Sequence, residues 1–169
     1  VYNISSSPTM TNVTATATDG DNNYGVNNSS SSPTMTDVTA TATGGTFSTG
    51  VYNTGSSPSM NNVTATATDG TNNYGVYNKS FSSPTMNNVT ATATATGGTK
   101  ALGVYNTDST VKIRNSSLTG TGATDDNLSI QTNGQQAAYL ADSMLDGLRD
   151  GNGIFCFGVY DESFAQIIC

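Results

Sequence analysis

The chain has 169 residues, and its 12 acidic against 5 basic side chains leave a net charge of −7, which disfavours nucleic acid and anionic membrane as partners. Only 34% of it is hydrophobic and 10% charged, so the core must be narrow and the surface rich in uncharged polar groups. No stretch approaches the about 18 apolar residues needed to span a bilayer, and the absence of His excludes imidazole catalysis and imidazole metal ligation.

The chain opens on Val1-Tyr2-Asn3, without Met and in the middle of a repeat, so a processed product or the C-terminal part of something longer is expected. Ser-Pro-Thr-Met-x-Asn/Asp-Val-Thr-Ala-Thr-Ala-Thr then stands at 7–18 and recurs at 32–43, 57–68 (with Ser59 for Thr) and 83–94. Pro8, Pro33, Pro58 and Pro84 are 25, 25 and 26 residues apart, the mark of a repeat array in which each repeat is one coil. A second anchor, Gly-Val-Tyr-Asn, puts its Val position at Val1, Val26, Val51, Val76, Val104, Ile130 and Val159. About six coils of 25–29 residues follow, residues 1–146 forming the repeats and 147–169 a last coil and cap.

Within a coil, period-two alternation sorts inward from outward side chains. In the third coil Pro58, Met60, Val63, Ala65 and Ala67 face in, Thr64, Thr66 and Thr68 face out, and after a polar turn Tyr74 and Val76 face in with Tyr77 out. Three short strands per coil, each stacked on its equivalents, predict an all-β protein: a right-handed parallel β-helix with three parallel sheets. Met10, Met35, Met60, Met86, Ile113 and Leu140 share one offset and form one interior column. Two polar columns survive throughout: Asn3, Asn28, Asn53, Asn78, Asn106, Thr132, Asp161, and Asn12, Asp37, Asn62, Asn88, Asn115, Asp142. Both are taken as turn ladders of hydrogen-bonded side chains.

Gly-Val-Tyr-Asn, Ser-Pro-Thr-Met and Asn-Val-Thr-Ala-Thr-Ala together resemble the repeat region of bacterial right-handed β-helix proteins of the pectin-lyase-like superfold. The resemblance covers Val1 to about Leu145, and Leu145-Asp146-Gly147 with Cys156, Gly158-Val159-Tyr160-Asp161 and Cys169 resembles the cap of the same group. It implies an extracellular or cell-surface protein and names no activity, because one superfold hosts many functions.

Candidate chemistry is sparse. Enzymes of that superfold need clustered acids, often with Ca²⁺, and a basic residue; here Lys112 and Arg114 alternate outward on one strand, with Asp125-Asp126 on the following turn. Asp19-Gly20-Asp21-Asn22-Asn23, Asp69-Gly70-Thr71-Asn72-Asn73 and the set Asp146, Asp150, Asn152 have oxygen-ligand spacing for Ca²⁺ but lack further carboxylates, and read as turns. No catalytic residue, metal site or cofactor is expected. Cys156 and Cys169, in one apolar segment, are expected to form a disulfide that pins the cap, in keeping with an oxidising compartment; two buried thiols are the alternative.

The most distinctive surface is threonine. Thr14, Thr39, Thr64 and Thr90 form one outward column, Thr16, Thr41, Thr66 and Thr92 the next, and Thr18, Thr43, Thr68 and Thr94 the third. This lattice suits a neighbouring subunit, ice, to judge by its likeness to the Thr-x-Thr face of β-solenoid antifreeze proteins, or solvent. Tyr2, Tyr52, Tyr77, Tyr105 and Tyr160 form an outward aromatic column interrupted by Asn27 and Gln131, suited to a protein interface, to sugar, or to sheet-stabilising stacking. The first functional expectation is a non-enzymatic β-solenoid that associates end to end into a surface fibre, filament or adhesive stalk. An ice-binding protein and a polysaccharide lyase or hydrolase are the alternatives.

Overall fold

The computed structural model describes residues 1–134 and 136–169, and among them there is no helix. The chain enters on β1 (Tyr2–Ile4) and then winds through β2 (Thr9–Thr11), β3 (Thr14–Thr18) and β4 (Asn22–Ser29). In the next two coils the first two segments run on as single strands: β5 (Thr34–Thr43) with β6 (Phe47–Thr54), then β7 (Ser59–Thr68) with β8 (Asn72–Lys79). Three-strand coils follow: β9 (Thr85–Asn87), β10 (Thr90–Thr94), β11 (Lys100–Thr107); β12 (Val111–Arg114), β13 (Ser117–Thr121), β14 (Asp126–Asn133); β15 (Ala138–Ala141), β16 (Met144–Asp146), β17 (Leu148–Gly151). The chain ends on β18 (Ile154–Phe157), β19 (Val159–Asp161) and β20 (Gln166–Ile167).

These strands form a parallel β-solenoid of about six turns. One face is the sheet β1-β4-β6-β8-β11-β14-β17. The other two stacks, β2 to β18 and β3 to β19, are the expected second and third sheets, and they fuse into one sheet through the unbroken β5 and β7. At the junction Asn12, Asp37, Asn62, Asn88, Asn115 and Asp142 all have φ between 48° and 57°, a left-handed corner that Asn and Asp tolerate best after Gly. The second polar column is therefore a turn ladder: Asn62 donates to Asp37, and Asn88 donates to Asn62 at 3.3 Å.

Inside, the methionine column is continuous. Met35, Met60 and Met86 are at most 1% exposed, and the registers Met35↔Met60↔Met86↔Ile113↔Leu140 carry it on to Cys156. The neighbouring column, Val38, Val63 and Val89, changes to Ser116 and Ser143, whose hydroxyls accept from the Val89 and Ser116 N–H at 3.0 and 3.2 Å.

The core is thin at the glycine of Gly-Val-Tyr-Asn. A Cβ on Gly50 would lie 2.7 Å from the Gly75 carbonyl oxygen and 2.7 Å from the Thr66 nitrogen, and one on Gly75 would meet Gly103, Ala91 and Thr92 as closely. The two sheets touch backbone to backbone there. Because Gly75 and Val76 both point inward, the alternation slips by one residue and Tyr74 is turned out. This corrects the inward assignment of Tyr74: it packs with Leu102, Leu128, Tyr77 and Tyr105, apart from the main core.

Candidate functional site

The first polar column lies inside, in strands, rather than in turns. Asn28, Asn53 and Asn78 have no solvent exposure, and Asn3 and Asn106 are buried. Each amide nitrogen donates to the amide oxygen one coil on, Asn3 to Asn28 at 2.8 Å, Asn28 to Asn53 at 2.9 Å and Asn53 to Asn78 at 2.9 Å. A buried amide is costly unless bonded, and stacking identical residues satisfies both its ends. The ladder stops at Asn106, which donates instead to the Ser109 carbonyl and leaves the Asn78 amide nitrogen without a partner.

Serine ladders on the adjoining corner were not foreseen. Ser31, Ser56 and Ser82 donate their N–H to the hydroxyls of Ser56, Ser82 and Ser109 at 2.9–3.2 Å, running toward the C-terminal end. Ser32, Ser57 and Ser83 donate to Ser7, Ser32 and Ser57 at 2.9–3.0 Å, running the other way. The signal was the Ser-Ser before all four prolines, an N–H and a hydroxyl offered at each coil.

The threonine lattice is in register. Thr14↔Thr39↔Thr64↔Thr90, Thr16↔Thr41↔Thr66↔Thr92 and Thr18↔Thr43↔Thr68↔Thr94 pair one to one, about 4.8 Å apart between coils. The column nearest the left-handed corner is exposed and the other two are largely half-buried, with the Thr43 and Thr68 hydroxyls 3.2 Å apart. Toward the C-terminal end the lattice continues through Ser117, Thr119 and Thr121 and then gives way to Met144.

The aromatic face is wider than one column. Tyr2, Tyr24, Tyr52, Tyr77 and Tyr105 form a chain of ring contacts, with centroids 6.5, 4.9, 5.2 and 4.8 Å apart, and Tyr74 stacks on Tyr105 at 5.4 Å. Asn27, the gap in the column, is bridged by Tyr24, whose ring reaches across to Tyr52. Burial, and then the neighbouring phenols, raise the Tyr24 and Tyr74 hydroxyls above their ordinary value and push Tyr77 up to about 12. Tyr160 is not part of this face. It pairs with Met144 at the end of the threonine lattice, Asp161 pairs with Leu145, and the strand that closes the tyrosine sheet is β17, with Asp150 opposite Gln131 and Gly151 opposite Thr132.

Cys156 and Cys169 form a disulfide with Cα atoms 5.3 Å apart. It ties the end of the methionine column to a segment that turns back through the antiparallel pair β19–β20, and the Arg149 guanidinium donates to Cys169 Sγ at 2.9 Å.

The remaining candidates separate. Asp126 is ion-paired to Lys100 at 2.6 Å on the tyrosine sheet, while Lys112 and Arg114 lie on β12 of the other sheet, so the acids and bases do not converge. Asp19 and Asp69 accept from the hydroxyls of Thr18 and Thr96. In the same loops Asn23 and Asn73 brace Gly20 and Gly70 through both amide ends, which makes these loops self-satisfied turns. No group of three or more potential metal-ligating side chains occurs among the described residues. Comparison with protein-family models and with curated proteins gives no match to this chain.

Proposed function

We propose that this chain is a non-catalytic, extracellular β-solenoid whose repeats build the rigid body of a fibre, filament or adhesive stalk through self-association. One observation carries the reading. In each of the first four coils the five outward positions of the fused sheet are Thr, Ser or Asn without a single charge, from Thr9, Thr11, Thr14, Thr16 and Thr18 to Thr85, Asn87, Thr90, Thr92 and Thr94. Apart from Asp37 at the corner of β5, such a side carries no charge to oppose a copy of itself, and its hydroxyls and amides can bond laterally. The interior Asn and corner Ser ladders add stiffness along the axis, which is what a load-bearing rod needs. A disulfide suits the oxidising compartment assumed here. Electron microscopy with light scattering over a concentration range tests the reading: rods or fibres are expected, and a monodisperse monomer at high concentration overturns it.

The registered threonine lattice separately favours ice as a ligand, since three columns of hydroxyls and methyls repeat in two dimensions. Thermal hysteresis that disappears in Thr41→Lys/Thr66→Lys would establish that second reading.

A further inference from the structure

The outer face of the β2-to-β18 stack changes character toward its C-terminal end. The hydroxyl column that starts at Thr9 ends in Lys112, Tyr139 and Phe155, and its neighbour ends in Arg114, Ala141 and Phe157. Tyr139 and Phe155 are stacked, centroids 5.3 Å apart at 14°, and Tyr139, Phe155 and Phe157 are 48%, 54% and 78% exposed. Ala141, small between Arg114 and Phe157, leaves a groove of 570 Å³ walled by a guanidinium and aromatic rings. Neither Lys112 nor Arg114 has an ion-pair partner among the described residues. No acidic side chain lines the groove, although the chain has 12 acids; Asp142 stands exposed at the left-handed corner beside Ala141.

We propose that this groove docks the acidic turns of a second copy, those carrying Asp19, Asp21 and Asp69. The inference rests on the self-association proposed above and assigns its surfaces. Charge complementarity selects the occupant: two of the chain's five cations stand here unpaired, and the charge opposite to theirs is the one the rest of this chain displays. The three acids are exposed, on turns of the first and third coils, and the hydroxyl bonds from Thr18 and Thr96 leave one oxygen each of Asp19 and Asp69 free of side-chain donors. Exposed rings beside two unpaired cations suit a protein contact, where ring burial supplies the affinity and the charges set the register. The groove spans the last coils and the acids the first ones, so the contact joins unlike surfaces. It cannot close on itself between two parallel rods, and each added copy is staggered along the last.

The test exchanges the charges, with sedimentation velocity as the readout on the full chain. Lys112→Glu/Arg114→Glu should weaken association about tenfold or more, and Asp19→Lys/Asp21→Lys/Asp69→Lys should do the same. An equimolar mixture of the two variants should associate again, because each then carries the surface the other needs. Unchanged circular dichroism and thermal unfolding show that the variants are folded. Wild-type-like association of either variant overturns this assignment and leaves the filament reading standing, as does a mixture that stays as weak as its parts. A wild-type chain that is monomeric throughout overturns both.

Discussion

Gly50 and Gly44 differ in what a methyl group would meet. Gly50→Ala places a Cβ against the backbone of Gly75, Thr66 and Ala65 at 2.7–2.8 Å, atoms held on both sides by sheet hydrogen bonds, so the coils must spread at a cost of about 3 kcal/mol. Gly44→Ala enters open space and bears only the strain of its φ of 79°, about 1 kcal/mol. Urea unfolding of the two variants is expected to rank them in that order. For the ladder, Asn53→Ala strands the Asn28 amide nitrogen and the Asn78 amide oxygen, at about 1–3 kcal/mol for each buried group. Asn87→Ala, which removes a surface bond to Asn61 of 3.0 Å, should stay within about 0.5 kcal/mol. The column of Asn3, Asn28, Asn53 and Asn78 was legible as a column. Its interior position was not, because pattern reading assigns an amide to the outside, and only the identity of the residue one coil away makes burial tolerable.

At the level of elements, the tyrosine sheet gives the fold a pH limit. Below pH 10, the ordinary phenol value, Tyr77 is protonated in both folded and unfolded chains and makes no difference between them. Between there and about 12 the unfolded chain loses the proton first, so stability must fall as pH rises through this window. The buried Tyr74 and the half-buried Tyr24 shift in the same direction. Thermal unfolding followed beside tyrosinate absorbance should show the drop, and Tyr77→Phe should reduce it. The same sheet shows where alternation fails as a guide. It held through Thr-Ala-Thr-Ala-Thr, where every residue is a regular strand position, and broke at Gly75-Val76, where a missing Cβ lets two successive residues face the core. The motif Gly-Val-Tyr-Asp at 158–161 then drew Tyr160 into the wrong sheet, since the strand that closes the tyrosine face, Leu148-Arg149-Asp150-Gly151, lacks the motif entirely.

The whole molecule is quasi-one-dimensional, each coil touching only its neighbours, so its stability is graded along the axis. Amides of β5 to β8, with identical coils on both sides and unbroken ladders, should exchange slowest in hydrogen exchange. Those of β17 to β20 should exchange fastest, because β17 pairs on one side only and its four residues are exposed. Uniform protection from end to end would contradict this gradient. Repeat spacing alone makes the solenoid legible, because a 25-residue period with matched apolar offsets admits few other folds. Surfaces were less legible: the groove beside Lys112 and Arg114 arises where Tyr139 and Phe155 stack across coils, and residues 16 positions apart in a degenerate region give no periodic signal.

One-to-one pairing between identical coils also makes length a quantised property. Excising residues 45–69, one period of 25, would bring Gly44 to Gly70 and leave the methionine, asparagine, serine and threonine columns all in step. Excising 24 would instead leave one coil a residue longer, to be absorbed in a turn as the 26-residue step from Pro58 to Pro84 already is. A gene for such a chain can therefore lengthen or shorten its product by recombination between like repeats, in steps of about 4.8 Å along the axis, without inventing a new contact.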